Sequence, residues 1–343
     1  MKKINVKQNS LAWEHLRETR IGSSEVFDIV KYYATADELQ NCGINAELFR
    51  EEEPYTTAWA LYHKMRRDGV YKKEALAPEF AEYGHAVEPY GMKMLQQGRK
   101  KKLKKSEVYA GTRLIASLDV SGTAEKQDER PFDVGTGMPR AGQNFVCEQK
   151  SMMPIKAKSG NHMPFKYIIQ AQYQITQTAA DFFMLQVMVL DEDTPFIRGK
   201  ICQMSPKMRY KYLDEHMKIQ TYYFANNPHL ARLIEVCIER FFADVDAERE
   251  PRPYIFGDSQ RNIMMSIRLN TLYSDDRVLD LDLSAFLDSR RNEKEAQRRK
   301  SEELQKIVDA ARANNACRFR FGETTAKFSK SGSLLVKEAD SND

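Results

Sequence analysis

Apolar residues recur along this chain in two rhythms, and the change from one to the other outlines its architecture. From residue 11 to about residue 95 the spacing is helical. Gly22, Ser23 and Ser24 stand where they cap a helix beginning near Glu25, with Val26, Phe27, Ile29 and Val30 turned inward. Residues 36–68 continue in helical period with breaks near Gly43 and Pro54. Residues 78–95 carry a stripe through Phe80, Tyr83, Val87, Met94 and Leu95, with a kink expected at Pro89. The rhythm then shortens. Short apolar and β-branched runs around Gly111 predict a β-meander over 103–120, followed by a polar loop over 121–144 and a short strand over 144–150. A helix is expected over 164–180. The most apolar run, 182–190, reads as a buried central strand. Beyond it the pattern predicts a strand over 196–204, a Tyr-rich helix over 206–224 and a helix over 228–248. A linker-like stretch opens at Glu248, and a charged helix over 284–315 precedes two short segments around FRFGE and AKFSKSGSLLV. No heptad is sustained in that helix, which argues against a long coiled coil.

Composition narrows the picture in a few places. With 343 residues, 42% hydrophobic and 10% aromatic, the chain has the means to build a real core, so wholesale disorder is excluded. Its 53 basic and 49 acidic residues nearly cancel, so net charge neither requires nor excludes a nucleic-acid partner. The densest basic run, Arg99 to Lys105, reads equally as a solvated loop and as a surface that tracks phosphates. Five scattered cysteines without a C-x-x-C pair argue against a disulfide framework, a structural zinc site or an iron–sulfur cluster, and suit a reducing cytoplasm. The opening residues lack the apolar stretch of a signal peptide, and no apolar run approaches the roughly 20 residues of a membrane span. A cytoplasmic protein without a membrane partner is expected. The six histidines lack metal-ligand spacing, and no G-x-x-x-x-G-K-[ST] loop is present to support a nucleotide-driven motor.

The candidate chemistry lies where the rhythm is two. Leu118-Asp119 closes one apolar run, and 29 residues later comes Glu148-Gln149-Lys150, the only acidic-x-Lys triplet in the chain. On a strand Glu148 and Lys150 share a face and Gln149 takes the other. Alone, such a triplet is usually a solvated strand face. Here Phe145, Val146 and Cys147 lead into it as a buried strand would. If Asp119 ends the neighbouring strand, two carboxylates and a lysine meet. Two carboxylates with a backbone carbonyl suit Mg²⁺, a hard ion that takes oxygen ligands. Two helical features join them: Glu88, on the same face as Gly84, and Gln170 with Gln174, one turn apart beside the apolar stripe of 164–180.

In this order the motifs resemble a known family. Arg17, Ile21, Gly22, Ser24 and Glu25 fit R-x-x-x-I-G-x-S-[DE], Gly84 to Pro89 fit G-x-x-x-E-P, and Ser117 to Asp119 fit S-x-D. Glu148 to Lys150 fit E-x-K, and Tyr167 to Gln174 fit Y-x-x-Q-x-x-x-Q. Over residues 10–225 the chain is similar to the YqaJ-type viral recombinases, relatives of phage lambda exonuclease within the PD-(D/E)XK nucleases. The resemblance implies an α/β fold: a restriction-endonuclease-like core with a central mixed sheet flanked by helices, and a C-terminal helical appendage. It implies a nuclease domain over 1–250, a linker over 251–283 and an appendage of unassigned role over 284–343. It implies metal ligation by Asp119, Glu148 and the Gln149 carbonyl, with Glu88 in support or on a second ion. Lys150 would assist the attacking water, Gln170 would contact the scissile region, and Arg17, Ser24, Ser117 and Gln174 would hold DNA or its 5′-terminal phosphate. The implied activity is Mg²⁺-dependent (or Mn²⁺-dependent) 5′→3′ digestion of linear duplex DNA by a phage or prophage protein in a bacterial host. A trimeric ring and a single-strand annealing protein are the implied partners. Ser23 where the family has a second glycine, Val120 after the aspartate, and the long interval to Glu148 depart from the pattern. An endonuclease of the same fold, a Cas4-like enzyme or a non-catalytic DNA-end binder are the alternatives, and the scattered cysteines weigh against the second.

Overall fold

The computed structural model describes residues 1–70, 78–151, 163–191 and 193–253, helical positions between 292 and 306, and three strands between 318 and 337. It divides into two compact units, Met1–Tyr273 and Ser274–Asp343. The first unit begins with β1 (Lys2–Ile4), α1 (Leu11–Glu18), β2 (Ile21–Gly22) and α2 (Val26–Tyr33). It continues through α3 (Ala36–Asn41), α4 (Ala46–Glu51), α5 (Ala58–Arg66) and α6 (Pro78–Gln96). The β-rich half follows: β3 (Lys104–Ala110), β4 (Leu114–Thr123), β5 (Asn144–Ser151), the crossover helix α7 (Phe165–Thr178) and β6 (Phe182–Leu190). Helices α8 (Pro195–Gln203) and α9 (Pro206–His216), strand β7 (Met217–Ala225) and α10 (Pro228–Asp246) complete it.

Among the described residues these strands form one seven-stranded mixed sheet in the order β1-β3-β4-β5-β6-β7, with β2 paired to β4. The β3–β4–β5 meander is antiparallel, and α7 then carries the chain across to β6, which runs parallel to β5. This is the α/β core expected from the sequence, a central mixed sheet flanked by helices. Alternation along β5 and β6 explains why both faces are buried. Val146, Phe183, Leu185 and Val187 pack with Ala171 and Ile175 of α7, whereas Phe145, Cys147, Phe182 and Met184 pack with Leu95 of α6. All nine residues of β6 are buried in consequence.

Two segments take the other secondary structure from the one their apolar spacing predicts. Residues 196–204 are helical, not extended: Thr194 accepts a hydrogen bond from Ile197 N (3.3 Å) and Pro195 sits at the first turn, so the capping signals prevail over a short apolar run. The helix expected over 206–224 stops at His216, and the rest is β7, paired with the full length of β6. No turn residue separates the two, which hid the change of period. The basic run also divides. Arg99 is buried in a two-pronged pair with Asp128 (2.5 and 2.7 Å) and Leu103 is buried, whereas Lys100, Lys101, Lys102, Lys104 and Lys105 are exposed.

The second unit contains an antiparallel sheet of β8 (Arg318–Phe321), β9 (Thr324–Phe328) and β10 (Leu334–Lys337), covering the two short segments read after the charged helix. Described helical positions include the i,i+4 pairs Glu295–Arg299 and Arg298–Glu302. Most of the expected linker and the rest of the charged helix lie outside the described residues. No described helix is long and apolar enough to cross a membrane.

Candidate active site at the fork between β4 and β5

The ladder joining β4 to β5 ends at the pair Val120–Cys147, one step before Asp119 and Glu148. Past that step β5 stays with β6 as far as Ser151 and parts from β4. The Gln149 N–H, which a continuing ladder would give to a β4 carbonyl, donates instead to Asp119 Oδ2 (2.8 Å). A side chain thus replaces the next rung, and this fixes Asp119 against the Glu148–Lys150 triplet. Opposite it, Ser106 of β3 adopts a left-handed backbone (φ 56°). Leu118 and Val120 fall into different core clusters, so the strand's alternation is also broken at Asp119.

A cavity of about 240 Å³ opens at this fork. Asp119, Glu148 and Lys150 form its floor, Glu88 and His85 of α6 one wall, and Gln170 of α7 another. The remaining side carries Trp13 and Arg17 of α1, Ser117 of β4, and the turn Gly22-Ser23-Ser24 that leads into α2. That turn is held by Glu25, whose carboxylate accepts from Gly22 N (2.7 Å) and from the buried Lys64 ammonium (2.7 Å). Trp13 donates through its indole nitrogen to Ser117 Oγ (2.9 Å), tying α1 to the sheet. Arg17 stacks over the Trp13 ring at 4.7 Å, and among the described residues its guanidinium has no acidic partner. Serine hydroxyls and a guanidinium without a counter-charge favour an anion on this side.

The floor is electrostatically demanding. Burial pushes the Asp119 carboxyl well above the usual carboxylate range and nearby Glu148 adds to this, while Lys150 and the Gln149 N–H pull the other way. Burial alone would lower Lys150, yet Glu148 and Asp119 outweigh it and raise its pKa. Its ammonium lies 2.7 Å from Glu148 Oε1. Glu88 is raised as well, by burial, with His85 opposing. Among the described residues no three His, Cys, Asp or Glu side chains converge as a metal cluster. The side-chain donors for an ion are therefore two carboxylates at the fork. Their mutual repulsion in a buried place, with one lysine for compensation, fits a site built to take a divalent cation.

Of the expected residues, Gln174 does not line the cavity, and the Gln149 side chain points away from it as strand alternation predicts. The Gln149 side chain turns to the opposite face, where its amide meets that of Gln186 at 2.5 Å. In the orientation that satisfies its neighbours, its nitrogen donates to the Glu88 carbonyl (3.3 Å) and its oxygen accepts from Met92 N (3.1 Å). It therefore clamps one turn of α6, the turn that carries Glu88. Gly91 allows this approach: a Cβ there would sit 2.7 Å from the Gln149 amide and Met188 Sδ and 2.9 Å from the Gln186 amide. Replacing Gly91 with Ala is expected to destabilise the protein by about 1–3 kcal/mol, as overpacking does. The check is a urea titration, and an unchanged midpoint would mean that the amides give way without cost. Gln174, expected at the phosphate, is fully buried behind Glu148 and does not line the cavity. Conversely, Trp13, His85, Gln8, Asn9 and Ser23 do line it, and the sequence had not assigned them. The one signal for Trp13 was its position four residues before Arg17 on a helix.

No family model and no curated protein matches this chain. Among solved structures it is similar to an alkaline exonuclease (LHK-Exo) from Laribacter hongkongensis, at 15% identity over 76% of this chain and 100% of that one, with a TM-score of 0.39. The same enzyme in complex with dAMP aligns at 15% identity over 70% and 95%, TM-score 0.40. A phage related exonuclease from Haemophilus somnus 129PT aligns at 13% identity over 67% and 96%, TM-score 0.39.

Proposed function

We propose that this chain is a Mg²⁺-dependent deoxyribonuclease that digests linear duplex DNA from its 5′ ends, in recombination of the phage type. One observation carries the reading: a single cavity unites Asp119, Glu148 and Lys150 with the separate anion-favouring set Arg17, Ser24 and Ser117. A phosphodiesterase needs the first set, and an enzyme that starts at a phosphorylated end needs the second beside it.

Asp119 and Glu148 would hold the ion, with the Gln149 carbonyl as the backbone donor and Glu88 as a nearby carboxylate in support. When bound, Mg²⁺ supplies Lewis-acid polarisation of the scissile phosphate and a more acidic water. The protein's share is positioning. Lys150, held at Glu148, orients the attacking water and offsets charge as it develops on the phosphate. Gln170 reaches the same space from α7 and aligns the backbone to be cut. Arg17, Ser24 and Ser117 grip the terminal phosphate, which sets the register of the strand. The family resemblance extends the proposal to a homotrimeric ring, a single-strand annealing protein as partner, and the cytoplasm of a bacterial host.

The test is digestion of linear duplex labelled at the 5′ or the 3′ end, with Mg²⁺ and with EDTA. Expected is metal-dependent release of 5′-terminal nucleotides, with circular DNA untouched. Cutting of circles would make the chain an endonuclease. Binding without any cleavage would remove the enzymatic reading altogether.

A further inference from the structure

Gln174 lies where the two halves of the cavity meet, and it touches both. Its Nε2 is 3.2 Å from Glu148 Oε2, 3.4 Å from Ser23 Oγ and 3.5 Å from the Ser117 carbonyl. Glu148 belongs to the acidic floor, and the two serines belong to the anion-favouring side. Its Oε1, fully buried, has no hydrogen-bond partner among the described residues. A second glutamine of the same helix shows what a structural role looks like. Gln172 is equally buried, but its Nε2 donates to the Ala225 carbonyl (2.7 Å) and its Oε1 accepts from Asn227 N (2.8 Å). Both of its ends are used to pin β7 and α10 to α7. Gln174 leaves one end unused, and a methionine would fill the same space without burying an unpaired amide oxygen. Packing therefore does not account for this side chain.

We propose that Gln174 is a positioning residue that couples occupation of the Ser23–Ser117 side by a terminal phosphate to the readiness of Glu148 to bind metal. The inference rests on the nuclease reading given above. One amide nitrogen is shared among three acceptors, all at the long end of the hydrogen-bond range. When the Ser23 hydroxyl donates to a phosphate, its oxygen is left as an acceptor only, directed back at Gln174. The amide shifts toward Ser23, its hold on Glu148 Oε2 weakens, and that oxygen becomes available to a cation. Phosphate and metal then bind with positive cooperativity, and by linkage the effect is reciprocal. A correctly phosphorylated end would assemble the metal site, and other ends would not.

The experiment is a binding cycle on the full chain. Fluorescence anisotropy measures the affinity of two hairpin duplexes, alike except for a 5′-phosphate or a 5′-hydroxyl. Each is titrated in EDTA and in Ca²⁺, under conditions where no cleavage is detected. In the wild type Ca²⁺ is expected to tighten the phosphorylated duplex about tenfold more than the hydroxyl duplex, within the usual range of such couplings. In Gln174→Met that ratio falls to about 1, while both duplexes still bind. A merely structural role would weaken both alike and leave the ratio unchanged, which would overturn the proposal. If Gln174→Met does not fold, Ser23→Ala must abolish the same ratio, and an intact ratio there is equally fatal. A wild type that digests DNA with Mg²⁺ yet shows no coupling sinks the proposal alone. A wild type that neither binds duplex nor digests it removes the nuclease reading, and the proposal with it.

Discussion

On the proposed reading, replacing Asp119 with Ala is expected to lower the rate of DNA cleavage by about 10³-fold or more, because losing a ligand at the fork would remove several kcal/mol of metal-derived stabilisation and each 1.36 kcal/mol is tenfold. Duplex affinity, which the proposal assigns to Arg17, Ser24 and Ser117 on the other side of the cavity, is expected to change by less than tenfold. The pair of measurements is a single-turnover rate in Mg²⁺ and an anisotropy titration in EDTA. Cleavage at the wild-type rate would disprove the assignment of the floor. Stability moves the other way. Asp119 is buried beside Glu148 with only Lys150 and one backbone N–H in its favour. Asp119→Asn keeps an oxygen to accept from Gln149 N and removes a buried negative charge. The metal-free protein should therefore melt higher, by about 2–4 °C for each kcal/mol relieved. A variant inactive and more stable is the pattern expected of a site strained for function.

The second large effect is structural. Asp128→Ala is expected to destabilise the protein by about 3–5 kcal/mol, the usual cost of leaving a buried charge without its partner. The side chains of Arg99 and Asp128 are each 2% exposed, and their pair is closed by further bonds. Glu125 N and the Tyr223 hydroxyl donate to Asp128, and Arg99 Nε donates to the Leu95 carbonyl. The Arg99 guanidinium also lies over the Phe145 ring at 5.1 Å. Removing one partner strands the other inside the layer between α6 and the sheet. Chemical denaturation gives the value, and a loss under 1 kcal/mol would mean that water reaches Arg99. The double variant Arg99→Met with Asp128→Leu should recover most of the loss, since a buried pair is weak net support when both members are removed together.

How far the sequence foretold the site depends on the range of the forces involved. Glu148 and Lys150 were legible because alternation on a strand is a local rule, and Asp119 because it closes an apolar run. The crossover helix and the buried β6 were legible for the same reason. The same rule put the Gln149 side chain on the other face, but not its partners, because Gln186 and Met92 come from distant segments and only the folded packing brings them together. Arg99 looked like one more surface cation in a run of lysines. Its burial depends on Asp128, in a loop 29 residues on. Helix α8 was missed because a Thr-Pro start is a short signal beside a persuasive run of apolar residues, and β7 because nothing punctuates the chain at His216.

The carboxylate of Glu52, at the end of α4, accepts from Phe165 N (2.7 Å) and Lys166 N (3.2 Å), the first free amides of α7. Two helices present positive ends in this part of the molecule, and one of them is thereby plugged. An anion finds no welcome at α7, where a fixed negative charge already occupies the dipole. At α2 the carboxylate of Glu25 is offset by the Lys64 ammonium, so the attractive potential is left to the side of Arg17. Such a lopsided field gives an anion in this cavity one favoured side and a single low-energy way to lie.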